Sequence, residues 1–285
     1  MTAEGPRAAE GVWLITGAAK GIGRALTEEA LARGARVAAI TRRDGDLDLS
    51  ERYRGRFLHL KHDVAAADER ACDRMATTVA EHFGRIDVLV NNAGHGRITN
   101  FEETSEAGIR ELFELNFFGL MRVTRAVLPF MRHQREGHIV NIASAAGYGA
   151  GPAIYHSSKF AVTGFSTCLA FELEPFGISV TNVAPGLFRT NFYDAGALCI
   201  EPDTPIADYD AFRWQEDFMR ESGTGQPGDP QQLARLVCDV VESDAPPLHL
   251  PVGLDAVETV EAQIAKMQAD VDAWRYRTTR TDFRD

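Results

Sequence analysis

Cysteine is sparse in this 285-residue chain. Cys72, Cys168, Cys199 and Cys238 are all it has, and no two stand within three positions of each other. That spacing excludes a CxxC redox pair or a zinc knuckle, and the four read as small buried apolar residues. No Cys/His or Asp/His pair sits at ligand spacing, so no metal centre is expected. Basic residues are outnumbered, 30 Lys and Arg against 41 Asp and Glu, for a net charge of −11 and a pI near 5.2. A nucleic-acid footprint or an anionic-membrane surface needs clustered positive charge, so neither partner is expected. No apolar run reaches the ~18 residues of a membrane span. The first ten residues, MTAEGPRAAE, lack the basic-then-apolar order of a signal peptide. The expectation is a soluble cytoplasmic protein whose residues 1–10 are flexible. Apolar residues at 45% and charged residues at 25% are ordinary for a chain that buries a core.

Short continuous apolar runs alternate with amphipathic stretches. Strands are predicted at 12–16 (VWLIT), 36–41, 57–60, 86–90, 138–142, 178–183 and 248–252. Helices are predicted at 22–33, closed by Gly34, and at 66–82, 153–174 and 230–242. Residues 104–131 carry helical spacing as far as Pro129, with Gly119 a weak point inside. The pattern implies an α/β fold, a single domain with a doubly wound parallel sheet covered by helices on both faces. Ligands then bind at the C-terminal ends of the strands. Two regions depart from the rhythm. Residues 187–229 are long and rich in Gly, Pro, Asp and Thr, which reads as a substrate lid. In residues 256–285, Val257, Val260, Ile264, Met267, Val271 and Trp274 recur at steps of three and four. That stripe is expected to pack on its own domain, with a partner subunit as the alternative.

Gly17, Gly21 and Gly23 stand in TGAAKGIG, with Lys20 and Ile22 between them, directly after the first strand and opening the first helix. Missing Cβ atoms let the backbone turn tightly and approach a pyrophosphate at the positive end of the helix. A site for the unphosphorylated dinucleotide usually carries an acid at the end of the second strand. Here that strand ends Thr41-Arg42-Arg43, with no acid before Asp44. An Arg fork suits a dianionic 2′-phosphate, so NADP(H) is expected over NAD(H). The alternative makes Arg42 and Arg43 plain solvated turn residues. Asp63, followed by Val64, is placed to accept from an adenine amino group or to cap the next helix. Asn91, Ala93 and Gly94 end the fourth strand, where small side chains and a polar group suit a cofactor.

Tyr155 and Lys159 stand four apart on a predicted helix, hence on one face. A nearby ammonium favours the phenolate of a tyrosine, whose free pKa is about 10. A tuned tyrosine exchanges a proton with a developing alkoxide. Ser144 ends the preceding strand and is placed to donate to the same oxygen.

These motifs, together with Asn116 and Pro185-Gly186, come in one order over residues 11–255. The sequence there resembles the short-chain dehydrogenase/reductase superfamily in its single-domain Rossmann-type form, and within it the bacterial oxidoreductases related to retinol and hydroxysteroid dehydrogenases. The resemblance implies a catalytic tetrad. Tyr155 is the general acid/base, and Lys159 binds the nicotinamide ribose and lowers the tyrosine pKa. Ser144 orients the carbonyl, and Asn116 holds a water in the proton relay. It also implies that Asn91 lines the cofactor, that Thr190 contacts the carboxamide, and that Arg42 and Lys20 are the basic residues of NADP-preferring members. A homodimer or homotetramer built on the helices around 104–131 and 153–174 is implied as well. Tyr155 follows Ser144 by eleven positions, slightly fewer than in most members, and the shortening falls in AAGYGAGPAI, which lines the pocket in relatives.

Tyr148, Phe188, Phe192 and Tyr193 are candidate pocket walls for a bulky apolar substrate, with core packing the alternative. His95 and His156 either face the pocket or are structural. The expected activity is hydride transfer between nicotinamide and a carbonyl or alcohol. The alternative is a non-catalytic NADP(H)-binding sensor or scaffold, which has no need of the tetrad. The 100 residues after Pro185 are too few for the substrate domain of an extended epimerase or dehydratase.

Overall fold

The computed structural model describes residues 10–193, 197–212 and 225–283, with backbone alone for Tyr193, Ala211 and Phe212. Seven strands form one parallel sheet in the order β3-β2-β1-β4-β6-β7-β9. They are β1 (Val12–Thr16), β2 (Arg36–Thr41), β3 (Phe57–Lys61), β4 (Val88–Asn91), β6 (Gly137–Ile142), β7 (Ile178–Pro185) and β9 (His249–Val252). A separate two-stranded ladder pairs β5 (Gly96–Arg97) with β8 (Leu198–Cys199). Every residue of β1 is buried, because both faces of the sheet are covered. Alternation along β1 sorts its side chains. Trp13 and Ile15 join one core, and Val12 and Leu14 the other. Helices α1 (Gly21–Ala32) and α6 (Pro230–Val241) pack together on the first side. The second side carries α2 (Glu69–Phe83), α4 (Leu120–Gln134) and α5 (Ala153–Leu173). The strand order reverses direction between β1 and β4, the crevice where such sheets take ligands.

Four expectations are corrected. Helix α2 begins at Glu69, and its cap is Asp68, whose carboxylate accepts from Ala71 N. Asp63 is not that cap; its Oδ1 accepts from Ala65 N at 3.0 Å and Ala66 N at 3.3 Å in the turn before the helix. The predicted 104–131 helix is three pieces: α3 (Glu106–Phe113), a π-helical turn (Glu114–Gly119) and α4. At Gly119 an added Cβ would lie 2.7 Å from Val64 Cγ1 and Val64 O, so glycine lets the helix graze the end of β3. Pro129 does not end the helix, which runs on to Gln134. Burial of Val127 and Met131 on either side outweighs one lost backbone bond. Finally, the C-terminal helix α7 (Leu254–Thr278) lays only the start of its stripe on its own domain: Ala256 is buried and Val257 and Val260 are half-buried, while Ile264, Met267, Val271 and Trp274 are exposed.

Described residues of the 187–229 connection pair with the loop after β4. Beyond the β5–β8 ladder, Arg97 Nη1 pairs with Asp203 Oδ1 at 3.2 Å. Ser105 Oγ donates to Asp203 Oδ2 at 2.6 Å. Those bonds, the Ser105 pair first and Arg97 after it, hold Asp203 below the usual carboxylate range.

Candidate active site

The glycine turn is an arrangement of backbone. Gly17 and Gly21 have φ of +64° and +53°. A Cβ on Gly17 would lie 2.9 Å from Ala93 Cα, and one on Gly23 would run into the Gly17 carbonyl and Asn92 Nδ2. The turn is braced from β4. Asn92 Nδ2 donates to Thr16 O at 3.0 Å and Gly17 O at 3.1 Å. Thr16 Oγ1 accepts from Asn92 N and Ala93 N. Lys20, at the N-cap of α1, makes no side-chain cap, and the first turn has no acid. By contrast Asp68, Ser105 and Asp229 cap α2, α3 and α6. The first amides of α1 are therefore left for a ligand, and the surrounding surface suits an anion.

These residues line one end of a cleft of about 530 Å³, within the common range for small-molecule sites. Gly17, Lys20, Gly21, Ile22, Ala93 and Gly94 form that end. Ser144, Tyr155, Lys159, Pro185, Gly186, Phe188, Thr190 and Phe192 line the rest. The structure thus brings together residues from β1, β4, β6, α5 and β7. Thr190 sits against the glycine turn, its Cβ 3.2 Å from where a Cβ on Gly21 would be.

Other expected residues lie outside the walls. Arg42 and Arg43 are exposed beyond β2, and Asp44 there is engaged by Lys61 at 3.3 Å. Asp63 and Val64 follow β3 and are not among the lining residues. Asn91 is behind the wall rather than in it. Its Nδ2 donates to Thr124 Oγ1 and to Asn141 Oδ1, both at 2.9 Å. Asn91 and Asn141 are register partners across β4 and β6, as are Asn141 and Asn182 across β6 and β7. The three form a buried polar row tying the sheet to Ser166 on α5.

Tyr155 and Lys159 share one face of α5 and are both buried. Lys159 Nζ donates to Ile142 O at 3.2 Å, and burial pulls its pKa down to about 8. Asn116 does not line the cleft but stands just behind it. Its Oδ1 accepts from His95 N at 3.0 Å, and its Nδ2 donates to His95 O at 2.9 Å and to Ser158 Oγ at 3.2 Å. The π-helical turn presents this side chain, an irregularity often found at functional sites. A Cβ on Gly94 would lie 3.2 Å from Asn116 Oδ1 and 3.7 Å from Lys159 Nζ. The loop after β4 therefore crosses close over both groups. Ser144 Oγ accepts from Ala146 N at 3.1 Å, starting a single 3-10 turn.

The short segment after Ser144 makes a wall of Ala145, Ala146, Gly149, Ala150, Gly151 and Pro152. Tyr148 is turned away from the cleft. Its hydroxyl accepts from Asn182 Nδ2 at 3.0 Å and meets His249 Nδ1 at 2.6 Å. His95 is absent from the lining, and burial lowers its pKa. His156 does line the cleft; it donates from Nδ1 to Gly149 O, and burial lowers its pKa too. Phe192 tilts against Tyr155 with ring centroids 6.1 Å apart. Phe188 serves both core and wall. The side chain of Tyr193 lies outside the described residues.

Asn92, Asp255 and Thr259 escaped the sequence reading. Asn92 was legible in the NNAG run, where strand alternation turns adjacent residues to opposite sides. Asp255 and Thr259 open α7, far along the chain. Asp255 Oδ2 accepts from Leu187 N at 2.7 Å, and Thr259 abuts Gly149.

The glycine turn and a buried Tyr–Lys pair open on one cleft of a doubly wound sheet. A family model described as short chain dehydrogenase matches residues 11–196, and the chain belongs to that family of oxidoreductases. It is 34% identical to an oxidoreductase of Botryotinia fuckeliana, over 93% of this chain and 96% of that one. Human retinol dehydrogenase 8 is 33% identical over 83% of this chain and 79% of its own. A solved short-chain dehydrogenase from Streptomyces avermitilis superposes with a TM-score of 0.86 at 38% identity, covering 95% of this chain and all of that one. No helix among the described residues is long and apolar enough to cross a membrane.

Proposed function

We propose that the protein is an NADP(H)-dependent reductase of ketones or aldehydes, working in reverse on the corresponding alcohols. The observation that carries this reading is that Ser144, Tyr155 and Lys159 open on the same cleft as the uncapped glycine turn. The glycine turn and the N-terminus of α1 hold the pyrophosphate. Arg42 and Lys20 receive the 2′-phosphate, with Arg43 beside them. No carboxylate opposes it there, because Asp44 is turned to Lys61. Asp63 and Val64 border the adenine. Thr190, Pro185 and Gly186 border the carboxamide. The bound dinucleotide supplies or accepts the hydride.

The chain's own groups manage the proton. Ser144 donates a hydrogen bond to the substrate oxygen, and Tyr155 gives that oxygen its proton. Lys159 holds positive charge on the same helix face and binds the ribose. Asn116, clamped to both backbone groups of His95, steadies a water that resupplies the proton. Residues 187–229 act as a lid over the 11–255 domain. Ile98, Leu187, Phe188 and Phe192 give the cleft an apolar wall suited to a bulky apolar substrate. The working form is a cytoplasmic homodimer or homotetramer, and exposed Phe118, Phe160 and Phe171 on the π-helical turn and α5 support assembly there.

The test is NADPH oxidation over a panel of aldehydes, aliphatic and aromatic ketones, steroids and retinal, with NADH in parallel and Tyr155→Phe as the blank. Turnover with NADPH that the variant loses is the expected result. Turnover preferring NADH overturns the role of Arg42. NADPH binding without turnover on any carbonyl overturns the enzymatic reading in favour of a sensor.

A further inference from the structure

Helix α7 is 25 residues long, roughly 38 Å at 1.5 Å per residue, yet it is held at one end. Asp255 and Thr259 fasten its first two turns to Leu187 and Gly149. Beyond them Ile264, Met267, Val271 and Trp274 are 62%, 59%, 52% and 56% exposed. With Val257 and Val260 they recur at strictly alternating steps of three and four, the heptad seam by which helices join. Helices in proteins draw most of their stability from packing an apolar face, and beyond Val260 this face has no cover among the described residues of its own domain.

We propose that the seam is covered by the same seam of a second copy of this chain, the two α7 helices lying antiparallel about a two-fold axis between Ala265 and Lys266. Two features of the sequence select this occupant. The first is register. Antiparallel alignment sets Val257 opposite Trp274 of the second copy, Val260 opposite its Val271 and Ile264 opposite its Met267. The remaining three layers repeat these pairs by symmetry. Every layer is apolar, and the largest side chain meets one of the smallest, as a self-complementary two-fold contact requires. The second is charge. Residues 255–270 carry Asp255, Glu258, Glu261 and Asp270 against Lys266, while Arg275, Arg277 and Arg280 outnumber Asp272 and Asp282 beyond them. In this register Arg275 and Arg277 of one helix lie beside the turn of the other that carries Asp255 and Glu258, at the cost of one like pair, Glu261 opposite Asp270; parallel helices lay Arg275 and Arg277 on Arg275 and Arg277. The helix dipoles also favour the antiparallel pair. The contact is separate from the α4–α5 surface and uses none of the catalytic residues.

Sedimentation equilibrium on the full chain tests it. The double variant Ile264→Glu, Met267→Glu is expected to lose one association step, its mass falling about twofold. Ala269→Glu, on the opposite side of the helix, keeps the wild-type mass. Both replaced side chains are exposed, so thermal melts followed by circular dichroism confirm that the domain of the double variant still unfolds cooperatively. Orientation is read by exchanging charges. Arg275→Glu with Arg277→Glu weakens the assembly, and adding Glu258→Arg, in the turn they face, restores it. Equal masses for the wild type and the double variant overturn the proposal. Failure of the charge exchange to restore the mass overturns the antiparallel register.

Discussion

The two ends of the cleft are built by different means. At the glycine end the working surface is main chain. Neighbouring atoms leave no room for a Cβ on Gly17 or Gly23, Gly21 takes a positive φ, and Asn92 and Thr16 serve the backbone. At the Tyr155 end the working surface is side chains on rigid elements, beside a connection after β7 that reaches the loop after β4 through Asp203, Arg97 and a two-residue ladder. The difference teaches where change is tolerated. Adding atoms to the first end destroys a shape, whereas exchanging side chains at the second alters chemistry or substrate and leaves the fold alone.

Tyr155→Phe tests this contrast most strongly. Removing one hydroxyl should lower kcat by about 10³-fold with dinucleotide affinity unchanged, as read by steady-state kinetics and fluorescence titration; a matching loss of affinity would erase the distinction. Gly23→Ala should do the reverse, because the new methyl meets the Gly17 carbonyl. Dinucleotide affinity should fall by about 100-fold or more, and calorimetry showing normal binding would mean the turn is not the cradle.

Lys159 sharpens the contrast through pH. Its folded pKa of about 8 lies below the ordinary lysine value, so the ammonium is present below pH 8 and lost above it. The free-enzyme profile of kcat/KM should therefore decline by about tenfold per pH unit past that point. A profile flat to pH 9.5 would show that the charge is not needed.

Arg42→Ala should weaken NADPH by about tenfold and leave NADH unchanged, since one charge-assisted contact is lost. Equal effects on both cofactors would make Arg42 a plain surface residue. The smallest effect belongs to the lid. Asp203→Asn removes a partly exposed ion pair and should raise KM by about threefold at constant kcat. A drop in kcat instead would tie the lid to the chemistry.

Local sequence carried much of this. The strand runs around β1, β2, β4 and β6 read directly as buried because they are continuous, and TGAAKGIG announces its turn because glycine spacing is itself the structure. Tyr155 and Lys159 needed only helical periodicity. Where the reading slipped, a distant contact was responsible. Asn91 looked like a cofactor ligand, yet its register partner Asn141 on β6 claims it. Tyr148 looked like pocket wall, yet Asn182 and His249, on β7 and β9, draw it away. The 104–131 helix reads as one periodic stretch, whereas Val64 beneath Gly119 marks where it departs from α-helix.

By itself the sequence determined the alternating α/β fold, the glycine turn and the spacing of the Tyr–Lys pair, because each depends on backbone preferences and periodicities within a few residues. Only the tertiary structure decided that Asn92 rather than Asn91 braces the turn, and that Asp255 and Thr259 from the last helix close the cleft. It also decided that the seam of α7 leaves its own domain beyond Val260. Those outcomes depend on which strands become neighbours and where a helix runs once it leaves the sheet, and such contacts leave no local pattern to read.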